Sequence, residues 1–520
     1  MASTPSFGTL ENTPEVETPK SSTLFRIVLL GDFSGRANRG EKGDADDLAG
    51  RKLLKIDREN FDDILAGLSV TLKLPLPDDE TAEISFAALD DFHPDQIFDK
   101  VEKFSDLSDS EEQTELMNSL MHHPDFLALE SAWRGVDWLL RRVPDGSSIE
   151  VFLVDVTREE FAADLSAGDD LSACGLYKLL IEKATQGPKG KPWALFVGNY
   201  SFDLSEQDAE LLGRMAKIAR AATAPFLAAA PVQVVEKSFT VPPDVAETWE
   251  ALRKQTEAAM LGLALPRFLL RQPYGSDTIS IDKFSFEEFS TKPEGRVYVW
   301  CNPALGCAAL LVQGFVRNGW GFKPGDVLDL NDLPLHTYTE DGDTEVTLTD
   351  VWLTTQMAQK AAKYGIMTLM PVKGKDRVQL SRFQTLALSA AAGLAGQWDK
   401  GAGVPKATGG KSPVLRTVMN LGAATHSAAT PKATPAEASS DAPPSEDTPP
   451  SDDASSSFTD SSNEPTPESS STKADPEMAA LLASSETPAE TPAEEPPAEM
   501  DPESAALMAS MESGSSDTPS

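Results

Sequence analysis

Glycine-rich and serine-containing segments are the first places where this sequence could bind a nucleotide or carry catalysis. Residues 31–36 (Gly-Asp-Phe-Ser-Gly-Arg) follow a short apolar run, as phosphate-binding loops do. They lack the spacing of a P-loop and of the dinucleotide fingerprint, which favours a turn at the end of a strand. Ser280 and Lys283 have the SxxK spacing of β-lactamase-type enzymes, but the accompanying motifs are absent from the sequence, so chance explains the pair.

Histidines and cysteines are too sparse to predict a metal centre or a nucleophilic enzyme. The five histidines show no HExxH or comparable ligand spacing, and residues 122–124 (His-His-Pro) are interpreted as a helix entry. No second Cys or His pair completes a zinc site around the three cysteines, Cys174, Cys301 and Cys307. We therefore predict no catalytic residue, no metal ligand and no cofactor, and we expect a protein that is not an enzyme.

Charge and composition restrict the partners and the compartment. The 520-residue chain has a net charge of −37, which argues against nucleic acid or an anionic membrane surface as the main partner, because both attract basic patches. An odd and small number of cysteines fits a reducing compartment. No apolar run approaches the roughly 20 residues of a membrane span, and the N-terminus lacks a signal-peptide pattern. We expect a cytoplasmic protein with no nucleic-acid partner and no membrane insertion.

The elements that would position any functional residue follow from local periodicity. Residues 24–30 form a leucine-rich and β-branched run that is typical of a buried strand. Residues 124–142 repeat apolar side chains with the helical period, and we predict that Trp133 and Leu129 on this helix belong to the core. Strands and helices then alternate, which indicates an α/β layered fold with a partly parallel sheet.

Shifts in composition divide the chain into five predicted segments. These are a disordered leader at 1–22, a small α/β domain at 23–104, an acidic helical linker at 105–121, a larger α/β domain at 122–394, and a disordered Ala/Pro/Ser/Thr/Glu-rich tail at 395–520. The tail prediction depends on residues 431–520, which hold 20 acidic and 2 basic residues, 15 of the 38 prolines and one aromatic residue, Phe458. Such a segment buries too little apolar surface to offset the entropy of ordering it.

Two parts of the sequence resemble known families of a contractile secretion machine. Three segments resemble the small sheath subunit of type VI secretion systems, the VipA/TssB family. They are IVLLGDFSGR at 27–36, RKLLKIDRENFDDILAGL at 51–68 and ISFAALDDFHPDQIFDKVEKF at 84–104. The large subunit, the VipB/TssC family, is similar to segments within 121–383, above all HHPDFLALESAWRGVDWLL at 122–140 and NYSFDLSEQDAELLGRMAKIARAATAPFLAAA at 199–230. The resemblance covers about 340 of the 520 residues.

The resemblance implies two sheath-type α/β domains fused in one chain. In these families, small and large subunits form heterodimers that stack into a helical cytoplasmic tube, which contracts around an inner tube and has no active site. Fusion would fix the one-to-one ratio and raise the local concentration of the two halves. The implied function is that of a structural, non-enzymatic sheath component. Its implied partners are sheath subunits or copies of itself, with inner-tube or baseplate proteins as further candidates.

Departures from the family pattern keep a second function open. In the families, neighbouring subunits exchange strands from the C-terminal end of the small subunit and from both ends of the large one. Here the first of these ends is reduced to residues 105–121, and low-complexity sequence replaces the large subunit's C-terminal region after Leu394. The alternative is a sheath-like accessory protein that docks on the sheath or baseplate and regulates assembly without polymerising.

Two arginines in an apolar run, Arg267 and Arg271, are the candidate interface residues. A charged side chain in such a run is costly unless it is paired. One interpretation gives each arginine a carboxylate partner inside its own domain. In the other, one of the two arginines bridges the small and large halves.

Overall fold

Strand β1 (Phe25–Gly31) is the element around which the main sheet is built, and all seven of its residues are buried. The structure, a computed structural model, describes residues 5–11, 16–41, 45–186, 190–236, 240–289, 297–340, 343–388 and 393–401. Apart from Arg26 the strand is apolar, which is typical of a parallel strand that is covered on both faces. The side chains of Phe25, Ile27 and Leu29 belong to one core, and those of Val28 and Leu30 belong to another.

The remaining elements alternate along the chain. The other strands are β2 (Leu54–Ile56), β3 (Val70–Pro75), β4 (Thr81–Phe86), β5 (Ile149–Asp155), β6 (Leu195–Ser201), β7 (Phe226–Ala229), β8 (Leu261–Leu265), β9 (Phe268–Leu269), β10 (Trp300–Cys301), β11 (Asp329–Leu330), β12 (His336–Glu340), β13 (Asp343–Thr347), β14 (Ile366–Pro371) and β15 (Val378–Leu380). The α-helices are α1 (Phe61–Gly67), α2 (Pro94–Lys100), α3 (Ser110–Met121), α4 (Pro124–Leu140), α5 (Arg158–Ser166), α6 (Gly175–Tyr177), α7 (Glu206–Ala222), α8 (Pro243–Lys254), α9 (Pro303–Asn318), α10 (Thr355–Lys363) and α11 (Gln397–Gly401). Helix α6 continues as a π-helix over Lys178–Gln186, and short 3-10 helices span Ala45–Gly50, Pro77–Asp79, Leu89–Phe92, Glu102–Asp106, Leu171–Ala173, Val232–Val235, Thr256–Met260 and Gly319–Gly321. The α/β fold class predicted from the sequence is confirmed.

The main sheet of the described residues has nine strands in the order β11-β15-β14-β8-β7-β6-β1-β5-β2. Neighbouring strands from β14 to β5 run parallel. At one edge β2 pairs antiparallel with β5, and at the other β15 pairs antiparallel with β14 and β11. A sheet that is parallel in its centre needs helices on both faces to bury its backbone and side chains.

Helices cover both faces of this sheet. Helices α4 and α9 pack on the face that carries Phe25, and α5 to α8 with α10 pack on the opposite face. Both α4 and α9 begin with proline at the first helical position, where no N–H donor is required. The side chains of His123 and Asn302 accept N–H groups of the first turn, so each helix starts at a fixed residue.

Strands from both predicted domains lie in the same sheet. Strand β1 belongs to the predicted small domain at 23–104, yet it pairs with β5 on one side and β6 on the other. Register runs from Phe25 opposite Ile149 to Gly31 opposite Asp155. The linker prediction for 105–121 matches α3 in its helical character. Because β1 precedes that linker and pairs with strands that follow it, the linker does not separate two sheets.

The leader and the end of the large domain differ from the predicted boundaries. Residues 5–11 and 16–22, predicted as disordered, lie against the body, and Phe7 is only 9 % exposed. The helix α11 extends the packed chain beyond residue 394, because Trp398 is 2 % exposed and its ring centroid lies 5.3 Å from that of Phe322. Each of these two polar segments has one buried aromatic residue, Phe7 or Trp398, that packs against the body. The predicted tail from residue 402 onward lies outside the described residues.

Candidate functional site

The turn after β1, where a nucleotide loop was considered, is closed by two carboxylates. Asp155, at the end of β5, accepts the N–H of Phe33 at 2.8 Å and the hydroxyl of Ser34 at 2.8 Å. Asp32 accepts the N–H of Gly35 at 2.8 Å. Phosphate-binding loops direct such N–H groups at an anion, whereas here they bond to the chain's own carboxylates. The arrangement is that of a turn leaving a strand.

A cleft of about 620 Å³ lies beside this turn, and its charges are paired with one another. Arg39 donates from Nε to Glu41 at 2.9 Å and from Nη1 to the carbonyl of Thr71 at 2.8 Å. Lys73 Nζ lies 3.8 Å from a carboxylate oxygen of Glu83. These pairs leave little net positive charge in the cleft for a nucleotide phosphate.

Arg271 lies in a buried ion cluster, which we define as Glu130, Arg134, Arg271 and Glu288. Arg271 Nε lies 2.8 Å from Glu130 Oε1, and its Nη1 lies 2.7 Å from Glu288 Oε2. Arg134 Nε adds a contact of 2.6 Å to Glu130 Oε1. The side chains of Glu130 and Glu288 are at most 1 % exposed, so the cluster has to satisfy its charges internally.

The ionisation of the cluster follows from these contacts. Burial alone would raise the pKa of Glu288, but Arg271, His122 and the N–H of Tyr274 outweigh it and hold that pKa at about 2. Burial would likewise lower the pKa of Arg271, but Glu130 and Glu288 keep it well above its ordinary value. Glu288 and the guanidinium of Arg271 therefore remain charged across the physiological range of pH.

The ion cluster holds the two ends of residues 274–288 together, and we name this segment the loop 274–288. Tyr274 donates its N–H to Glu288 Oε2 at 2.8 Å, and the N–H of Glu288 donates to the carbonyl of Tyr274 at 2.9 Å. His122 Nε2 lies 3.4 Å from Glu288 Oε1, and the ring of His93 packs edge-on against that of Tyr274. The base of the loop thus contacts the residue that precedes α2 and the turn between α3 and α4.

Arg267 lies in a different environment, since its side chain is 53 % exposed. Its Nε lies 2.7 Å from Asp350 Oδ2, and its backbone N–H donates to Asp350 Oδ1 at 3.1 Å. Burial raises the pKa of Asp350 even though Arg267 acts in the opposite direction. The pair joins two neighbouring segments of the later part of the chain.

Both candidate interface arginines are paired within the region that follows residue 121. The carboxylates that contact Arg271 are Glu130 and Glu288, and the one that contacts Arg267 is Asp350. These contacts correspond to the interpretation in which each arginine meets a carboxylate inside its own domain. Among the described residues, the ion pairs of both arginines are with residues 130, 288 and 350, so a bridge from either arginine to the N-terminal region stays a prediction.

The N-terminal region meets the rest of the chain at a buried seam, which we define as the contacts of β1 and Phe33 with β5, β6 and Trp133. Trp133 is fully buried and donates its Nε1–H to the carbonyl of Phe33 at 2.8 Å. The rings of Phe33 and Phe61 pack edge-on against it, with centroids 5.8 and 5.4 Å away. Leu129, on the same helix, is 3 % exposed. The two candidate core residues therefore lie in the core, and Trp133 joins both regions.

A second, peripheral contact is the clasp, which we define as Asp95, Phe98 and Asp99 of α2 with Asp282–Phe284 of the loop 274–288. Asp95 accepts the N–H of Asp282 at 3.1 Å and that of Lys283 at 3.0 Å. The rings of Phe98 and Phe284 lie 5.4 Å apart, and Lys283 Nζ is 2.7 Å from Asp99. The clasp thus adds hydrogen bonds and an ion pair to one ring contact, whereas the seam is mainly apolar.

Neither the seam nor the clasp offers a reactive group. Burial raises the pKa of the Cys174 and Cys307 thiols to about 12, and the pKa of Cys301 is also well above its usual value. Within the described ranges, no group of three His, Cys, Asp or Glu side chains is arranged to hold a metal ion. In the same part of the chain, no helix combines the length and apolarity that crossing a bilayer requires. The arrangement joins two regions of chain, and its chemistry is packing, strand pairing and ion pairing.

Sequence reasoning missed the clasp and the ion cluster as units. Asp95 and Asp282 are 187 residues apart, and Glu130 and Arg271 are 141 residues apart, so no local spacing connects them. A usable signal was the glutamate inside the apolar face of α4, because a charge there needs a buried partner. The loop 274–288 carries no comparable signal.

Comparison with known families matches both regions of the chain. Residues 110–387 match the VipB family, described as EvpB/VC_A0108, tail sheath N-terminal domain. Residues 11–129 match the family described as Type VI secretion system, VipA, VC_A0107 or Hcp2. The two matches overlap over residues 110–129, which hold α3 and the start of α4.

A curated relative is similar to about half of the chain. The type VI secretion system sheath protein TssC1 of Pseudomonas aeruginosa is 32 % identical over 286 residues. The alignment covers 51 % of this chain and 57 % of the relative. The chain therefore spans little more than half the length of that sheath protein.

Proposed function

The chain belongs to the VipB family of tail sheath N-terminal domains and carries a VipA-type region before it; from this premise we propose that it is a structural subunit of a contractile type VI secretion sheath. In this proposal one chain supplies what a small and a large subunit supply separately. Its partners are copies of itself or other sheath subunits, with inner-tube and baseplate proteins as further partners. The compartment is the cytoplasm, and the function requires no catalysis.

The shared sheet is the observation that carries this proposal. Strand β1 of the VipA-type region is hydrogen-bonded on both sides to strands of the VipB-type region. A subunit that transmits force in an assembly needs a rigid joint between its parts, and pairing of a buried strand on both sides provides one. A flexible tether between two independent domains would allow them to move separately.

Electron microscopy of the purified chain tests the proposal. We expect tubes or sheets with one chain per repeating unit, because both family regions are present in each copy. The chain shortened to residues 1–401 is the matched comparison, since it lacks residues 431–520 with their net charge of −18. Like charges on neighbouring copies repel, so the shortened chain should assemble more readily, most visibly at low salt.

Discrete particles at every salt concentration, from both chains, would contradict the proposal. That result would support the alternative of an accessory protein that docks on a sheath or baseplate without polymerising. Adding separately produced small and large sheath subunits would then show whether the chain joins their tubes or binds at one end.

A further inference from the structure

Cations gather at the edge of the main sheet where its parallel strands begin. Strands β7, β8 and β14 start side by side there, and the helices α7, α8 and α10 end shortly before them. The last turns of these helices carry Arg220, Arg253, Lys254 and Lys363, which we define as the basic edge. The negative end of a helix dipole favours cations at such positions.

Most of this charge is not neutralised by ion pairs within the described ranges. Arg220 and Lys363 are exposed, and neither forms an ion pair in that part of the chain. Arg253 donates to two backbone carbonyls at 2.7 Å, one of them that of Lys363, so its guanidinium holds the ends of α8 and α10 together. Lys254 alone has a carboxylate contact, with its Nζ 2.6 Å from Glu250 Oε1.

An exposed leucine lies among these cations. Leu388 is 45 % exposed, and its N–H donates to the carbonyl of Arg253 at 3.0 Å. Two carboxylates lie close by, Glu250 in α8 and Glu257 in the 3-10 helix before β8, so the basic edge keeps a net positive charge. On a chain whose net charge is −37, such an edge is a surface that attracts anionic groups.

The acidic counterpart is helix α3. It contains Glu111, Glu112 and Glu115 but no lysine or arginine, and we name these three glutamates the acidic face of α3. All three are exposed, and none forms an ion pair among the residues that the structure describes. The apolar side of the helix is buried in the body. The acidic face is therefore open to a partner.

The two charged surfaces lie toward opposite edges of the main sheet. Helix α4 begins two residues after α3 ends, and Asp125 in its first turn accepts Nδ2–H of Asn38 at 2.7 Å. Asn38 lies in the turn that leaves the carboxyl end of β1, and β1 runs parallel to β6, β7, β8 and β14. The seven residues of β1 span about 23 Å. This exceeds the screening length of about 8 Å at physiological salt, so the two surfaces do not pair within one copy.

We propose that the basic edge is a docking site for the acidic face of α3 of a second copy of this chain. Charge complementarity selects this occupant, because the two exposed surfaces have opposite sign and lie at opposite ends of each copy. A contact between two different surfaces of identical chains repeats from copy to copy, which suits a helical tube. The inference rests on the proposed function, since it names two surfaces through which sheath subunits stack. It involves no strand exchanged between subunits.

Reversal of charge on each surface of the full chain tests the docking. One variant, Arg220→Glu with Lys363→Glu, reverses the basic edge. The other, Glu112→Lys with Glu115→Lys, reverses the acidic face. Each variant alone should need an about tenfold higher concentration to self-associate, because like charges then meet across the contact. Sedimentation at low salt measures this concentration, and added salt should reduce the difference from the natural chain.

Combining the two reversals identifies the occupant. An equimolar mixture of the two variants should associate like the natural chain, because the natural acidic face of one variant meets the natural basic edge of the other. The chain that carries all four substitutions should also associate again, because both signs have been exchanged. An occupant other than α3, such as residues 431–520 with their net charge of −18, gives no recovery in the fourfold variant.

Matched variants control for the change of charge itself. Lys375→Glu and Glu59→Lys make the same exchanges at exposed positions outside both surfaces, and they should leave self-association unchanged. Melting curves show whether each variant remains folded. We expect small shifts, because the four substituted side chains are exposed and form no ion pair within the described ranges.

Folded variants that associate like the natural chain would overturn the inference, and so would losses that the fourfold variant does not restore. Electron microscopy of the same samples separates this failure from a failure of the proposed function. If tubes form and are insensitive to both reversals, only the docking is wrong. If no tubes form, sedimentation decides: association that the charge exchange restores supports the docking, and a natural chain that stays monomeric at every concentration overturns it.

Discussion

At the seam, β1 is buried on both faces and Trp133 is fully enclosed, whereas at the clasp Asp99 and Lys283 are 50 and 40 % exposed. Both contacts join the VipA-type region to the VipB-type region, yet they differ in the forces involved. The seam depends on apolar burial and strand pairing, which salt hardly affects. Apart from the ring contact between Phe98 and Phe284, the clasp depends on hydrogen bonds to one carboxylate and on an ion pair that water and salt weaken. The comparison indicates that the seam determines whether the regions stay joined, and that the clasp fixes the loop 274–288 against α2.

Removing Trp133 should produce the largest loss of stability. The substitution Trp133→Ala creates a cavity between Phe33 and Phe61 and removes the bond to the Phe33 carbonyl. Truncation of a large buried aromatic side chain costs about 3–5 kcal/mol. The measurement is the free energy of unfolding in denaturant. Trp352→Ala is the control, because Trp352 is 46 % exposed and its loss should change little. A near-normal unfolding curve for Trp133→Ala would mean that the seam is not a main source of stability.

The losses of stability caused by replacing Arg271 and Arg267 should differ sharply, although only three residues lie between them. Arg271→Ala leaves Glu130 and Glu288 buried without their shared cation, which costs about 3–5 kcal/mol. Arg267→Ala removes a half-exposed cation from Asp350, which keeps the backbone N–H of residue 267 as a donor, and should cost less, about 1 kcal/mol. Thermal melting of both variants gives the comparison directly. Equal losses would show that burial does not separate the two sites as the contacts indicate.

Acid should weaken the ion cluster through Glu288. Its pKa in the folded chain is about 2, below the ordinary value of 4.5. A lowered pKa gives stability that is fully present above pH 4.5 and is lost as pH falls toward about 2. The difference in unfolding free energy between the natural chain and Glu288→Gln should therefore be constant near neutrality and shrink across that range. The adjacent, exposed Glu287→Gln provides the control. A difference that is independent of pH would contradict the ionised state of Glu288.

Loss of the clasp should have a smaller effect than loss of Trp133 or of Arg271. Asp95→Ala removes the acceptor for the N–H groups of Asp282 and Lys283, which is worth about 1–3 kcal/mol for bonds to a charged group. Hydrogen exchange should increase in the loop 274–288 while β1 stays protected. The control is Asp90→Ala, which alters an exposed residue nearby and should leave hydrogen exchange in the loop 274–288 and in β1 unchanged. Exchange that also increases in β1 would show that the clasp and the seam form one cooperative unit.

Local patterns in the sequence predicted the parts but not their arrangement. The run at 24–30 and the helical period at 124–142 predicted β1 and α4 closely, because both depend on neighbouring residues. The place of β1 between β5 and β6 depends on partners more than 100 residues away, which no local pattern contains. Composition also misjudged the leader and the region after residue 394. A single Phe7 or Trp398 hardly changes the average of a polar segment, yet each one anchors its segment to the body.

Cleavage of the chain between the two regions tests the central claim, that the seam joins them independently of the linker. Residues 108 and 109, between the 3-10 helix Glu102–Asp106 and α3, are exposed, so a protease site can be introduced there. After cleavage, size-exclusion chromatography should show both fragments together at high salt, and denaturant should unfold them in a single transition. Fragments that separate after cleavage, or that unfold in two independent transitions, would contradict the claim that both regions share one sheet.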